Sequence, residues 1–424
     1  MPSPRLSVSR LLPPLVVAGA LVGLTTVGFG GGRKAIEASV RTRWGSPTEG
    51  AEIARELDDY LARYGGDLEA RWFAIEALAR LGRPAAAVDV AAGTPGFATL
   101  PGAPKRLADL LLETLGSYRT DPSLVTWLFT RTIQARIEAG APGAREELER
   151  VVSKLPTNGI IGMFMPAIRS PGSPASTALG EALARRKELR EFRAAAAILL
   201  TSAERLEEVP FLLDVLRSSW REDRRPTWQQ VVRVLGVSGD PRAVAGLESA
   251  RAEITGNDPI SKLLRDSLDV GLALAERPEA RERVMATLSA PASEWIALLY
   301  ANGLLTRWVH GDESALPRMA EVWDADPPRM VRMQLLYGCV MSERPPASLP
   351  IDAWAGFAAE TDDPLTKAVG LAWRFRRKVP GAAEALLTLL RTTIRGEGMD
   401  GETGAETPEV SATLDILRAF TRWG

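Results

Sequence analysis

The stretch from Trp228 to Arg251 restricts the fold of this chain more than any other. Four apolar residues in its first half fall at i, i+3, i+4 and i+7: Trp228, Val231, Val232 and Leu235. This spacing places a continuous apolar stripe on one face of a helix. The second half carries an apolar face of its own, so the stretch is typical of two short helices joined by a turn.

Glycine and capping residues divide the stretch. Gly236 and Gly239 are expected to weaken and end the first helix. Asp240 can accept hydrogen bonds from the free amides of the next turn, and Pro241 has the φ angle suited to a first helical position. Neither helix is long enough to bury its apolar face alone, so the pair requires neighbours of the same kind.

The segment from Gly239 to Leu247, GDPRAVAGL, resembles the HEAT-like repeat of the phycobilisome-lyase type. Gly311 to Met319 aligns with it at an offset of 72, and Val209 to Leu212 aligns with Val244 to Leu247 at an offset of 35. Prolines interpreted as helix openers lie 37, 68 and 34 residues apart: Pro241, Pro278, Pro346 and Pro380. A period in this range predicts about six helical pairs across residues 192–395, stacked as an α-solenoid.

Residues 48–155 also show the pattern of helical hairpins. The segment from Glu69 to Ala91 resembles a tetratricopeptide-type unit, and a second hairpin is predicted from Pro122 to Leu155. Proline, glycine and serine then interrupt the periodicity, so residues 156–191 are interpreted as a joint. The apolar residues Met163 to Met165 could form a partner-binding loop there, but packing inside the joint is the commoner role of such residues.

The amino-terminal part contains 22 uncharged residues, Leu11 to Gly32, after Arg5 and Arg10. About 20 apolar residues span a membrane, so we favour an uncleaved signal anchor in residues 1–32. A signal peptide cleaved near Ala20 and a buried helix of a soluble protein are the alternatives. Residues 33–47 are expected to be a linker.

Few residues indicate how this segment is oriented in a membrane. A short basic tail usually stays in the cytoplasm, which would place the body on the extracytoplasmic side of the membrane. Basic residues also follow the segment, so a cytoplasmic body remains an alternative. A cleaved signal would instead give a secreted protein.

Composition excludes several classes of site. Lys plus Arg (52) and Asp plus Glu (53) nearly cancel, which argues against a general nucleic-acid binder. One cysteine and one histidine exclude an internal disulfide and a zinc site built from four Cys or His ligands. Cys339 is expected in the core and His310 at a turn. We therefore predict no catalytic residue, metal, cofactor or small-molecule substrate.

The densest basic cluster is the candidate for partner binding. It consists of Arg374, Arg376, Arg377 and Lys378. If these side chains share one face they could hold an anionic surface, although a solvated surface between helices is the commoner role of such a cluster. After an acidic, glycine-rich loop that begins at residue 396, Thr407 and Pro408 are expected to start a last helix that closes the end of the stack.

The favoured function is a non-catalytic scaffold or adaptor that binds a protein partner on the solenoid surface and is attached to a membrane through residues 11–32. Two alternatives remain. The resemblance to HEAT-like proteins implies an enzyme of the lyase type as the first, although a repeat class does not by itself imply chemistry. A nucleic-acid-binding solenoid is the second, and the balanced charge disfavours it.

Overall fold

The computed structural model describes residues 32–44, 49–115, 127–154, 164, 167–168, 170–186, 190–219, 225–288, 294–396 and 407–424. Within these residues the chain forms 21 α-helices and no β-strand, which confirms the predicted all-α class. The chain divides into two compact units, Met1–Ala77 and Leu78–Gly424. The boundary falls inside the third helix, although the sequence analysis placed no boundary between residues 48 and 155.

The first helices are α1 (Arg33–Arg43), α2 (Gly50–Tyr64), α3 (Leu68–Arg80), α4 (Pro84–Ala92), α5 (Ala103–Leu115), α6 (Trp127–Glu138), α7 (Ala144–Lys154) and α8 (Pro174–Ala184). They are followed by α9 (Arg190–Thr201), α10 (Val209–Ser219), α11 (Arg225–Val237), α12 (Pro241–Glu253), α13 (Pro259–Leu274), α14 (Pro278–Thr287), α15 (Glu294–Val309) and α16 (Ala315–Asp324). The last five are α17 (Arg329–Met341), α18 (Ile351–Ala359), α19 (Pro364–Arg376), α20 (Ala382–Thr393) and α21 (Pro408–Trp423).

The first unit is organised around Tyr60 on α2. Its hydroxyl donates to Glu37 Oε1 of α1 at 2.5 Å, and its ring lies 5.4 Å from the ring of Phe73 on α3. Burial raises the pKa of Tyr60 to about 12, so the hydroxyl remains a donor at neutral pH. Residues 33–43, which we expected in a linker, instead form the helix α1. The hydrogen bond between Tyr60 and Glu37 joins this helix to α2.

Six helix pairs follow one another between residues 190 and 393. Their first helices are α9, α11, α13, α15, α17 and α19, and successive first helices begin 34 or 35 residues apart. Each is followed by its second helix, α10, α12, α14, α16, α18 or α20. The number of pairs agrees with the number that the sequence spacing predicts.

Asp-Pro dipeptides begin several of these helices, as predicted for Asp240 and Pro241. The Asp240 carboxylate accepts from the backbone N–H of Arg242 at 2.8 Å. Asp258 and Asp363 cap α13 and α19 in the same way, each followed by proline. A capping carboxylate satisfies amides that a helix start leaves without partners, which makes these boundaries readable from sequence.

The first helices of the pairs pack side by side, and each contacts the first helix of the next pair. The series continues from α19 to α21, from α21 to α6, from α6 to α8, and from α8 back to α9. Two polar contacts lie where α4 and α5 meet α20 and α21. Arg391 donates to Asp89 at 2.7 Å, and Lys105 Nζ donates to the Thr421 carbonyl at 3.1 Å. Within Leu78–Gly424 the helix contacts therefore return to their starting point.

The last helix, α21, is a central element of this series. Thr407 and Pro408 start it as predicted, with the Thr407 hydroxyl accepting from the backbone N–H of Val410 at 3.4 Å. Residues 410–421 are all buried. A helix that closes an open stack would keep one polar face in water. This one instead packs against α5, α6, α19 and α20, so its surroundings differ from those we expected.

The glycines around residue 237 and two prolines have different outcomes. The helix α11 ends at Val237, between Gly236 and Gly239, as expected. A Cβ on Gly236 would lie 2.8 Å from Gly271 Cα, so this glycine also marks the place where the backbones of α11 and α13 meet. The expectation that Pro346 and Pro380 open helices is wrong, because α18 and α20 begin five and two residues later.

Several predicted features lie outside the described residues. They are residues 11–31 of the membrane segment, Met163 and Met165 of the joint, and residues 397–406 of the acidic loop. Among the helices that the structure does describe, none combines the length and the apolar character needed to cross a membrane.

Candidate binding groove

A groove of about 890 Å³ opens in the second unit where several helices end. Four residues at or next to the carboxyl ends of helices line it: Glu138 of α6, Val309 of α15, Met341 of α17 and Arg422 of α21. Its walls are residues 170–174, which lead into α8, and residues 342–348, which follow α17. Ligand sites typically enclose about 300–1,000 Å³, so the groove is large enough for a short segment of another chain.

The apolar part of the groove comes mainly from α15. Leu305, Trp308 and Val309 are spaced so that they share one helical face, and Leu316 and Met341 join them from α16 and α17. Leu305 is buried, Trp308 is half-buried, and Val309 is 45% exposed. The groove therefore offers an apolar surface that is in part open to solvent.

One wall is shaped by a glycine turn. Gly172 has φ +68°, which favours glycine, and a Cβ at this position would lie 3.4 Å from Val309 Cγ1. Ser173 then caps α8, its hydroxyl accepting from the backbone N–H of Ser176 at 3.2 Å. The glycine and the cap hold this wall beside α15.

The opposite wall is held by two arginines. Arg376 donates to the carbonyls of Val340 at 2.7 Å and Ser342 at 2.6 Å, and also to that of Glu343 at 2.7 Å. Arg422 donates to the Met341 carbonyl at 2.5 Å. Burial lowers the pKa of Arg376, and the nearby charge of Arg422 lowers it further. The final carbonyls of α17 thus have cationic partners, as favoured at the negative end of a helix dipole.

A buried charge network lies at the base of the groove. Arg418 forms an ion pair with Glu138 at 3.1 Å and donates to the Tyr337 hydroxyl at 2.6 Å. Asp415 lies 3.7 Å from Arg418 and 3.9 Å from Arg131. Burial raises the pKa of Tyr337. The network joins α6, α17 and α21 beneath the groove, and Glu138 is its member that reaches the groove surface.

The rim of the groove carries charges of its own. Glu313 follows α15, while Glu343 and Arg344 follow α17, and all three side chains are exposed. None of them forms an ion pair within the described part of the chain. The rim therefore presents two carboxylates and one guanidinium to whatever enters.

The predicted basic cluster does not form a single free surface. The Arg376 guanidinium is used on the carbonyls after α17, and Arg374 lies 3.9 Å from Glu360. Arg377 and Lys378 are exposed, with the Arg377 guanidinium 5.8 Å from the centre of the Trp373 ring. Arg377 and Lys378 thus remain exposed candidates for partner binding, while Arg376 has a structural role.

The lone cysteine and histidine occupy the environments that the sequence predicts. Cys339 is fully buried, and burial raises the pKa of its thiol. The His310 ring at the turn after α15 has Nε2 2.6 Å from the Ser202 carbonyl. Neither residue lines the groove.

The sequence analysis missed the groove itself. Its walls come from segments more than 160 residues apart, 170–174 and 342–348, and the arginines that hold one wall come from two further helices. The proline pairs in both walls are the one visible signal, and we interpreted Pro346 as a helix opener. A groove formed where helices end can be predicted only after the packing of the helices is known.

Comparisons of the chain with family models, curated proteins and solved structures give no match. In the part of the chain that the structure describes, no three His, Cys, Asp or Glu side chains are grouped so that they could hold a metal ion.

Proposed function

We propose that this chain is a non-catalytic scaffold that binds a segment of a protein partner in the groove between α8, α15 and α17. The observation that carries the proposal is the groove itself, about 890 Å³ in volume, with apolar residues of α15 inside and charged residues at its rim. An apolar centre with a polar rim is the usual arrangement of a protein-binding surface. Trp308 is its natural anchor, since tryptophan is enriched among residues that dominate binding energy.

The body of the scaffold is a HEAT-like α-solenoid, with tetratricopeptide-like hairpins nearer the amino terminus. The regular spacing of 34 or 35 residues between helix pairs supports this architecture. So does the side-by-side packing of the first helices, because a single pair cannot bury its apolar faces alone. The helix pairs hold the segments of the groove in fixed positions.

Residues 11–32 hold the scaffold at a membrane, with the body on the extracytoplasmic side. The support is the uncharged run and the two arginines before it. Deleting residues 1–32 should move the protein from the membrane fraction to the soluble fraction. Recovery of the intact, uncleaved full-length chain in the soluble fraction would remove the basis for an anchor.

Binding rather than catalysis is supported by the chemistry of the groove. Glu138, the carboxylate at its base, is ion-paired with Arg418. His310 and Cys339 lie elsewhere. The groove thus offers shape, apolar area and charge, which are the properties of a recognition surface.

The test is cross-linked capture with the detergent-solubilised full-length protein and two aromatic variants. Trp308→Ala should reduce recovery of the partner about tenfold or more, because a buried aromatic anchor contributes about 2 kcal/mol or more. Phe357→Ala is the matched control, since Phe357 is 55% exposed and lies outside the groove lining. Thermal unfolding of both variants verifies folding. Equal recovery with wild type and Trp308→Ala would show that the partner does not use the groove.

A further inference from the structure

We propose that a second site in the unit Leu78–Gly424 binds a small neutral molecule through a carboxamide group. The site is a pocket of about 60 Å³ between α11, α15 and α17. It shares no lining residue with the groove, and it lies along the amino-terminal parts of α15 and α17, whereas the groove lies at their carboxyl ends. Occupation of the pocket therefore does not depend on what the groove binds.

Amide and apolar side chains line the pocket, and none of the described residues in its lining is charged. The three amides are Gln230 of α11, Asn302 of α15 and Gln334 of α17, and all three residues are buried. The apolar lining includes Leu298, Leu299, Met330 and Met333. A ligand with a neutral polar head and a small apolar part fits such a lining, because each part meets groups of its own kind.

The Asn302 amide points to a ligand because its hydrogen-bonding groups have no partner. The residue is 9% exposed, its Oδ1 atom is buried, and neither side-chain polar atom forms a hydrogen bond in the described part of the chain. Buried polar groups are nearly always hydrogen-bonded, since an amide that leaves water without a new partner costs free energy. A molecule in the pocket would supply the partner that Asn302 lacks.

Gln230 can offer only its NH₂ group to a ligand, because its oxygen is already used. Arg233 Nε donates to Gln230 Oε1 at 2.8 Å, and the Gln230 NH₂ group has no partner among the described residues. The indole N–H of Trp295, which also lines the pocket, donates to Gln229. Arg233 is fully buried, so its charge lies one hydrogen bond from the lining and repels a cation in the pocket.

A carboxamide matches this set of groups. Asn302 offers an acceptor and an NH₂ group, and a second amide can pair with it so that each carbonyl accepts from the N–H of the other. The second lone pair of the ligand carbonyl can accept from Gln230. A carboxylate has only acceptors and would leave Asn302 Oδ1 without a donor. An amidinium has only donors and would bring a second positive charge near Arg233.

The volume of the pocket limits the size of the bound group. One water-sized atom needs about 15 Å³ of such a cavity, so the pocket admits roughly four non-hydrogen atoms. This is the size of a carboxamide and the carbon attached to it. Trp295, Leu298 and Met330 in the lining are half-buried, so part of the lining is accessible from solvent and the carboxamide end of a longer molecule can enter.

The first experiment titrates the full-length protein in detergent with acetamide, acetate and acetamidinium, which have the same size and planar shape. Saturation-transfer NMR on the methyl group of each probe measures its binding. Acetamide should bind about tenfold more tightly than either of the other two, because it alone satisfies both Asn302 and Gln230 without adding a charge. Equal affinities of the three probes would overturn the proposed carboxamide class.

Substitutions at Asn302 test whether the probe binds in this pocket. Asn302→Leu should weaken acetamide about tenfold or more, while the unfolding temperature stays the same or rises, because a buried amide without a partner is replaced by an apolar group of similar size. Asn302→Asp should reverse the preference, so that acetamidinium binds more tightly than acetamide, which no loss of folding can imitate. Asn257→Leu, at an exposed residue outside the lining, is the matched control and should leave the affinity for acetamide unchanged.

Two further results would overturn the proposal. If acetamide shows no saturable binding, the pocket holds water alone. If acetamide binds wild type and Asn302→Leu with the same affinity, the probe lies elsewhere on the protein. Neither result bears on the groove, because Trp308→Ala alters a residue outside this pocket and cross-linked capture of a protein partner does not require the pocket to be occupied.

Discussion

Arg233 is a fully buried cation held by neutral partners. Its Nε donates to Gln230 Oε1 at 2.8 Å, and its terminal nitrogens donate to Thr306 Oγ1 at 2.8 Å and Ser202 Oγ at 3.3 Å. No carboxylate in the described residues pairs with it, and burial lowers its pKa to about 10. The guanidinium is still charged at neutral pH, so three hydrogen bonds offset the cost of its desolvation.

Replacing the charge should therefore be tolerated better than removing one of its partners. We expect Arg233→Met to keep the free energy of unfolding within about 1 kcal/mol of wild type, or to raise it, because charge and desolvation cost disappear together. Thr306→Val keeps the charge and removes an acceptor, so it should lower the free energy of unfolding by about 1–3 kcal/mol. Urea denaturation at neutral pH measures both. The opposite ranking would contradict this account of Arg233.

The same side chain predicts a pH dependence. Because its folded-state pKa of about 10 lies below the ordinary value, the unfolded chain binds more protons between the two values, and wild-type stability rises with pH there. Below the folded pKa the cost of the charge is constant. The stability of Arg233→Met relative to wild type should be constant from about pH 6 to 9 and should fall above about pH 10. Urea denaturation of both proteins across this range checks it, and a difference that changes between pH 6 and 8 would refute it.

Arg233 also shows which part of a buried helix a sequence can reveal. The apolar stripe of α11 was predicted from Trp228, Val231, Val232 and Leu235, and the structure confirms that all four are buried. The spacing of the apolar residues predicts one buried face and leaves the other faces of the helix exposed to solvent. Neighbouring helices also cover Gln229, Gln230 and Arg233. Arg233 donates to Ser202 and Thr306, and Gln229 donates to Ser267. These partners belong to other pairs, so no local pattern marks the burial.

At the scale of helix pairs, two glycines test how closely the elements approach. A Cβ on Gly236 would meet the backbone of Gly271, whereas a Cβ on Gly246 would meet the end of the Leu213 side chain at 2.5 Å. Both changes to alanine gain about 1 kcal/mol of helix propensity. Gly236→Ala should nevertheless lower the free energy of unfolding by about 1–3 kcal/mol, while Gly246→Ala should be nearly neutral. Similar values from urea denaturation of the two variants would show that α11 and α13 can separate at little cost.

The loop after α17 depends on one side chain from another helix. Arg376→Ala would leave three carbonyls of residues 340–343 without their cationic donor. We expect it to lower the free energy of unfolding by about 1–3 kcal/mol and to accelerate cleavage after Glu343 by a glutamate-specific protease. Arg377→Ala, at the exposed end of the same helix, is the control and should change neither. Equal cleavage rates in the two variants would mean that this groove wall is held by other contacts.

These elements differ in how far their sequence predicted them. Helix starts such as those at Asp240 and Thr407 were predicted because a cap and its helix are adjacent in the chain. The structural role of Arg376 was not predicted, because the sequence shows only the charge density of its cluster. Its partners lie 33 to 36 residues earlier, across a packed interface. The charge of a residue can be read from the sequence, but its hydrogen-bond partners depend on how the helices pack.

At the scale of the whole molecule, the spacing of the helix pairs predicts contacts between neighbours but not contacts between distant ends. The pairs of residues 190–393 were predicted by their period. The return of the series through α21, α6 and α8 brings together helices that are far apart in the sequence. Beside it, Arg391 of α20 donates to Asp89 of α4, 302 residues away. Nearest-neighbour repeats give no sign of such a contact, because each repeat buries its own faces against the next. This is why α21 was expected at an end.

Removing α21 distinguishes the two arrangements. In an open stack, loss of residues 408–424 should disturb only α19 and α20, because each unit contacts its neighbours alone. In this protein α21 also packs against α5 and α6, and Lys105 donates to the Thr421 carbonyl. Hydrogen exchange measured by mass spectrometry on wild-type and truncated protein should therefore show loss of protection in α5 and α6 as well as in α19, roughly 250 residues apart in sequence. The central pairs α11 to α14 serve as the internal reference. Faster exchange confined to α19 and α20, with α5 and α6 as protected as in wild type, would mean that α5 and α6 are stable without their contacts to α21.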